Sequence, residues 1–414
     1  MKRTFTTLFF FACSHAPAPT SQDGATAFDA AFANEDGGAR DAESATDAGA
    51  DSSSTPLIRI HYPAATHTIS LRGSGAPWNW QTGVTCIATA ADTFSCDASK
   101  ISARVEWKPL LDDKTWALGP NYHVSAGQSI DIYPHFSSTN GQVKQLIAPF
   151  HSSVLKNDRT VWAYLPASYD ENPTAHYSVV YMHDGQNLFD PQAPWGGWHV
   201  NDSLDKMANV GLCSDGKQCN ADSDCSAGEC GAPPEVIVVA PENAGAQRLY
   251  EYTPTQDAND GQSGGGARYL QMLAQELKPA IDHMLRTQPE RESTAIMGSS
   301  LGGLISIYGS LLDPDVFGRV GALSPSTWWD NRVVVGAVAA SQGKLLPLRV
   351  YLDSGDASQS DGFVDTQTLD QTYLSIGFVE GSDLHYLVQP GGKHREDYWA
   401  ARFPGAIAFL FGLR

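Results

Sequence analysis

Residues Thr294–Trp329 read TAIMGSSLGGLISIYGSLLDPDVFGRVGALSPSTWW. Ala295, Ile296 and Met297 form a short apolar run. Gly298-Ser299-Ser300-Leu301-Gly302-Gly303 supplies a tight turn of small residues, and Leu304 to Leu312 resumes with helical spacing. A strand, a sharp turn and a helix are therefore predicted in succession. A serine at the tip of such a turn is driven into a strained backbone conformation that exposes its hydroxyl. Gly298 and Gly302 flank it because a Cβ at either position is expected to collide with the neighbouring strand or helix. Ser300 is the expected nucleophile.

A serine hydroxyl attacks poorly until an imidazole within hydrogen-bond reach removes its proton. A carboxylate must then fix the tautomer of that imidazole and stabilise its charged form. His394 lies in the Gly-rich loop Gly391-Gly392-Lys393-His394, just past the predicted strand Leu384–Val388. His183 and His199 precede the serine, and His385 falls inside a strand pattern. Acid followed by histidine, both after the serine, is the chain order of α/β-hydrolases.

The chain has 414 residues, which suits two domains and tails. Acidic residues outnumber basic ones by 46 to 27, for a net charge of −19. With no cluster of Lys and Arg to neutralise phosphates, a nucleic-acid partner is excluded. Lys2 and Arg3, the apolar run Phe5 to Ala12, and Cys13 resemble a bacterial lipoprotein signal over residues 1–13, in which Cys13 would become the lipidated first residue of the mature chain. Phe10 stands where such signals usually have leucine. Residues 14–55 are rich in Ala, Ser, Asp and Gly and bury too little to fold, so they are read as a flexible linker. Plain secretion shares the same signal logic.

Seven cysteines fall into Cys13, the pair Cys86 and Cys96, and a cluster of Cys213, Cys219, Cys225 and Cys230. The pair closes a short loop and the cluster accommodates two bridges of open connectivity, leaving Cys13 over. Cluster spacings without a Cys-x-x-Cys pair, in an oxidising compartment, favour disulfides over zinc. Asp215, Asp222 and Asp224 in the same loop match no calcium-binding spacing. No metal or cofactor is expected.

Between residues 56 and 140, short segments such as Ile58–Tyr62, His67–Leu71, Ala103–Trp107 and Ser129–Tyr133 alternate with period two between Gly, Pro and Asn. That is the pattern of a small antiparallel, immunoglobulin-like sandwich. From residue 142 to 414 apolar strands alternate with helices, implying a mostly parallel sheet covered on both faces. The strand Val179–Met182 delivers His183-Asp184-Gly185-Gln186, and one oxyanion N–H is expected from Gly185 or Gln186, the other from Leu301. Arg248 follows the strand Val236–Ala240 on the ligand-binding side of such sheets. Trp195, Trp198, Trp328 and Trp329 lie on loops suited to wall a substrate pocket.

Two resemblances add to this. LRGSGAPWNW, VEWKPLLDDKTW and GPNYHV follow the order seen in starch-binding-type carbohydrate-binding modules. That likeness puts Trp80, Lys108, Trp116 and Asn121 at sugar-contacting positions. MHDGQNLFD, RLYEYTP, GSSLGGLISIYGSL, SPSTWW, YLDSG and GGKHREDYW resemble the putative-esterase family of α/β-hydrolases, which includes enterochelin, feruloyl and acetyl-xylan esterases and mycolyltransferases. The resemblance implies Ser300 as nucleophile, His394 as general base and an acid in the loop after Leu352. Here the chain departs from the common short pattern by an apparent insertion. Asp356 is the expected acid, ahead of Asp361 and then Asp353.

The whole reads as an exported serine esterase, free or lipid-anchored, acting on a small or polysaccharide-linked ester, siderophore-type esters included. An acyltransferase with the same residues, a carbohydrate-binding surface protein and a peptidase of similar fold are the rivals.

Overall fold

The computed structural model describes residues 55–413 apart from 195, 214, 221, 227–228, 259–260, 343–344, 346–347 and 359–360. The signal-like segment with Cys13, the linker up to residue 54, and Trp195 lie outside the described residues.

Residues 57–132 pack two small sheets face to face. One has Leu57–His61 at its centre, antiparallel to Thr93–Asp97 and parallel to Ile130–Ile132, with Ile87–Ala90 at the edge. The other is built on Ile69–Gly73 and Val105–Leu111. Alternation decides the packing: Ile58 and Ile60 are buried while Leu57, Arg59 and His61 between them are not. With Ile69, Leu71, Trp78 and Trp107 they fill the core, and the Cys86–Cys96 bridge closes against it.

The hydrolase domain is an eight-stranded sheet. Its strands are β1 (Gln142–Ser152), β2 (Asn157–Leu165), β3 (Ser178–Met182), β4 (Val236–Pro241), β5 (Thr294–Ser299), β6 (Arg319–Leu323), β7 (Arg349–Gly355) and β8 (Leu384–Gln389). The order is β1-β2-β4-β3-β5-β6-β7-β8, antiparallel at β1, β2 and β4 and parallel from β4 onward. Every residue of β4 and β5 is buried, as expected for strands covered on both faces. Helices α1 (Val200–Asn209), α2 (Leu301–Leu312), α3 (Trp329–Ala340), α4 (Phe363–Ser375) and α5 (Glu396–Phe411) supply much of the cover. The helical run from Gly266 does not simply bend at Pro279. It passes through a π-helical segment, Met272–Leu277, which ends two residues before that proline.

The all-β region and the eight-stranded sheet are closely joined and belong to one compact unit. The Glu171 carboxylate, after β2, accepts from Tyr62 Oη (2.7 Å), the N–H groups of Phe136 and Ser137 (2.8 and 3.0 Å) and Ser137 Oγ (2.6 Å). Asn172 Nδ2 donates to Pro134 O at 2.8 Å. The cysteine cluster forms the crossed bridges Cys213–Cys225 and Cys219–Cys230. In that stapled loop Asp222 pairs with Arg104 of the sandwich.

Candidate active site

Ser300 sits between β5 and α2 with φ +57° and ψ −122°, a conformation that costs a non-glycine residue about 1–3 kcal/mol. Neighbouring strand ends hold it there. Its N–H donates to Leu323 O and its carbonyl accepts from Ser326 N–H, both at 3.0 Å. A Cβ on Gly298 would lie 2.8 Å from His183 Cδ2 and 2.9 Å from the Gly302 carbonyl carbon, so that glycine is obligatory. The expectation for Gly302 is corrected: a Cβ there meets nothing closer than 3.4 Å, whereas one on Gly303 would press on Pro325 at 3.0 Å. Ser300 is half-buried, with Oγ 3.4 Å from Ser326 Oγ. Leu301 opens α2, so its N–H has no intrahelical acceptor.

His394 Nδ1 is 3.0 Å from Asp361 Oδ1, and Trp399 stands edge-on to the ring at 5.0 Å. Nε2 is left facing away from the carboxylate. Among the described residues Ser300 Oγ does not reach His394 by a direct hydrogen bond. Such bonds commonly tighten only when substrate arrives. Leu323, whose carbonyl accepts from the Ser300 N–H, is followed by Ser324, which lies close enough to Asp361 to help stabilise its charge.

The carboxylate beside His394 is not the one expected first. Asp356, the first expectation, turns to the surface of the loop and accepts from Gly391 N–H at 2.6 Å. Asp361 is the carboxylate on the imidazole, and it is fully buried. Burial pushes its pKa up, but the bonds from His394, Gly355 N–H and Ser324 outweigh this and hold it below the usual carboxylate value. Asp353, the third choice, is buried behind it. It accepts from Ser324 N–H at 3.0 Å and pairs with Arg402 at 3.0 Å, and burial raises its pKa to about 6. Ser324, at φ +42°, ties these groups together, because its Oγ accepts from Trp399 Nε1 (3.0 Å) and Arg402 Nη2 (2.8 Å). Sequence reasoning missed Ser324, Trp399 and Arg402. The signal available was the spacing of Trp399 and Arg402, which puts both on one face of α5.

Beyond β3, Gly185 opens a 3-10 turn that ends at Asn187. A Cβ on Gly185 would lie 2.3 Å from Ala240 O, so nothing larger fits. Asp184, at φ +60°, accepts from Arg248 Nε (2.7 Å) and Nη2 (2.9 Å) and from Asn243 Nδ2 (2.6 Å). Its N–H donates to the buried Tyr252 hydroxyl at 3.1 Å, and Gln186 Oε1 accepts from Asn243 N–H at 3.1 Å. His183 is buried against the elbow, with Nδ1 2.9 Å from Tyr269 Oη and Nε2 3.1 Å from Ser306 Oγ. Burial lowers its pKa to about 3, so the ring is neutral.

Of the described tryptophans proposed as pocket walls, Trp328 alone is open to solvent, at 54% exposure. Trp198 is core and packs on Trp399 at 5.7 Å, which corrects its assignment. Trp329 is likewise buried and donates Nε1 to Thr255 O at 3.1 Å. On the sandwich, Trp80 and Trp116 lie 6.1 Å apart, with Arg72 5.5 Å over the Trp116 ring. Lys108 and Asn121 are not free for a ligand there. Lys108 donates to Gly119 O, and Asn121 Nδ2 donates to Glu106 Oε1 at 2.8 Å.

The family model described as "Putative esterase" matches residues 152–410. The chain is 27% identical over 269 residues to Uncharacterized protein YbbA of Bacillus subtilis, covering 62% of this chain and 93% of that one. It is 29% identical over 100 residues to the siderophore enterobactin esterase of Emericella nidulans, covering 22% and 33% of the two chains. Among solved structures, a ferulic acid esterase aligns over 66% of this chain and 98% of its own with a TM-score of 0.49 and 21% identity. With the family model spanning the hydrolase domain, the chain belongs to this esterase family and is a carboxylic ester hydrolase.

Proposed function

We propose that Ser300, His394 and Asp361 carry out ester hydrolysis through an acyl-enzyme. The Ser300 oxygen attacks the ester carbonyl as its proton passes to His394 Nε2. The oxyanion forms against the N–H groups of Leu301 and of Gly185 or Gln186. His394 then protonates the departing alkoxide, and water, deprotonated by the same nitrogen, releases the acid. The observation that carries this reading is the Nδ1 bond from His394 to buried Asp361, which leaves Nε2 for the serine. Hydrolysis of p-nitrophenyl acetate should disappear in Ser300→Ala while circular dichroism stays native. An active Ser300→Ala would mean that another group attacks. Product analysis with and without an added alcohol distinguishes hydrolysis from acyl transfer.

For substrate, the reading favours carbohydrate-linked or siderophore-type esters, in keeping with the enterobactin esterase among its relatives. Export is part of the proposal, because three disulfides persist in oxidising compartments. Cys13 is the proposed lipid attachment point. Cys13→Ala should move the protein from the membrane fraction to the soluble one, and unchanged partition would refute the anchor.

The Trp80–Trp116 pair favours a second role, sugar stacking on the sandwich. It rests on the two indoles alone, since Lys108 and Asn121 are committed elsewhere.

A further inference from the structure

We propose that the Asp184–Arg248 pair is a positioning device that holds the oxyanion donors at Gly185 and Gln186, and that Arg248 is not a receptor for substrate charge. This rests on the catalytic reading given above.

Asp184 immediately precedes the turn and occupies a left-handed conformation that aspartate tolerates better than most non-glycine residues but that its surroundings must still select. Three donors do so from one side. Arg248 contributes two parallel N–H bonds of 2.7 and 2.9 Å, a fork that fixes orientation as well as distance. Asn243 Nδ2 adds the third at 2.6 Å, and the Asn243 N–H holds the Gln186 side chain at 3.1 Å. Asn243 therefore grips the residues on both sides of Gly185. From below, the backbone of β4 bars any movement of Gly185 towards the sheet, given the 2.3 Å approach of a Cβ to Ala240 O. The Tyr252 hydroxyl fixes the Asp184 N–H, and the Arg248 guanidinium rests over the Tyr252 ring at 5.1 Å. With Nε and Nη2 both on Asp184, the Arg248 charge is already matched, and an anionic substrate would have to compete with a bidentate carboxylate for it.

Donors that meet an oxygen only as it acquires charge act on turnover and not on ground-state binding. In the full chain, Asp184→Asn and Arg248→Ala should each lower kcat for the neutral ester p-nitrophenyl acetate by about 100-fold with KM within about threefold. Phosphonylation of Ser300 by a neutral aryl phosphonate should slow by a similar factor, because its oxygen takes the same place. Arg248→Lys should retain part of the activity, and millimolar ethylguanidinium should restore part of the loss in Arg248→Ala. If Arg248→Ala does not fold, Asp184→Asn, nearly isosteric, carries the test alone. An unchanged kcat on the neutral ester, or a KM increase confined to esters bearing a carboxylate, would overturn the proposal and make Arg248 a substrate receptor. The underlying reading fails separately, by activity surviving in Ser300→Ala.

Discussion

The hydrolase site and the outer face of the sandwich both gather aromatic and polar side chains, yet they differ in what those polar groups are bonded to. Around Ser300 the carboxylate of Asp361 is held from behind by the Gly355 N–H and still turns its other oxygen to His394. On the sandwich, Lys108 and Asn121 are satisfied by the domain itself, and Trp116, 38% exposed, is left with Trp80 and Arg72. A site needs polar groups that are restrained without being used up. The first region meets that condition, while the second offers a stacking surface with little to orient a ligand.

The contrast can be broken most sharply at the serine. Ser300→Ala should lower turnover by about six orders of magnitude, read with p-nitrophenyl acetate. Asp361→Asn should cost about four, from loss of the correct imidazole tautomer, while Asp356→Asn, which alters only the Gly391 loop, should stay near wild type. The reverse order between the two aspartates would restore Asp356 as the acid.

A smaller effect should follow acidification. The folded pKa of His183, about 3, lies below the unfolded value of about 6.5, so the unfolded chain takes up the proton first. The stability contribution is complete above pH 6.5 and is lost as pH falls towards 3. Between pH 7 and pH 5 it should amount to about 2 kcal/mol in urea unfolding. His183→Gln should lack that component of the pH slope, and an unaltered slope would place it elsewhere. The smallest effect concerns the sandwich. Trp116→Ala should weaken retention on insoluble polysaccharide about fivefold, as for the loss of about 1 kcal/mol of stacking, with esterase activity unaffected. Equal retention would leave the indoles a purely structural role.

Much of this was legible in the sequence where local sterics dictate the answer. The turn at Ser300 follows from Gly298, and the apolar β4, with the apolar run Ala295–Met297 in β5, announces strands buried on both faces. Gly302 was misjudged because the elbow's second crowded position is set by Pro325, a residue from the next strand's end. The acid was ambiguous for a similar reason. Asp353, Asp356 and Asp361 all follow or end β7, and only the path of the loop decides that Asp361 folds back under Gly355 while Asp356 reaches Gly391. Trp198 and Trp328 look alike as loop tryptophans, but one meets Trp399 in the core and the other meets solvent. The pairing of the four clustered cysteines needs their spatial arrangement, which spacing does not encode.

Glu171 bears on how this protein can be cut and rebuilt. A carboxylate with four donors, all from residues 62, 136 and 137, is a seam between the sandwich and the large sheet. Trimming the chain to a minimal hydrolase by deleting residues 56–140 would strand that charge and bare the Asn172 amide that now meets Pro134. The sandwich therefore behaves as fixed masonry, and a shortened version would call for an uncharged, smaller residue at position 171 before it could be handled on its own.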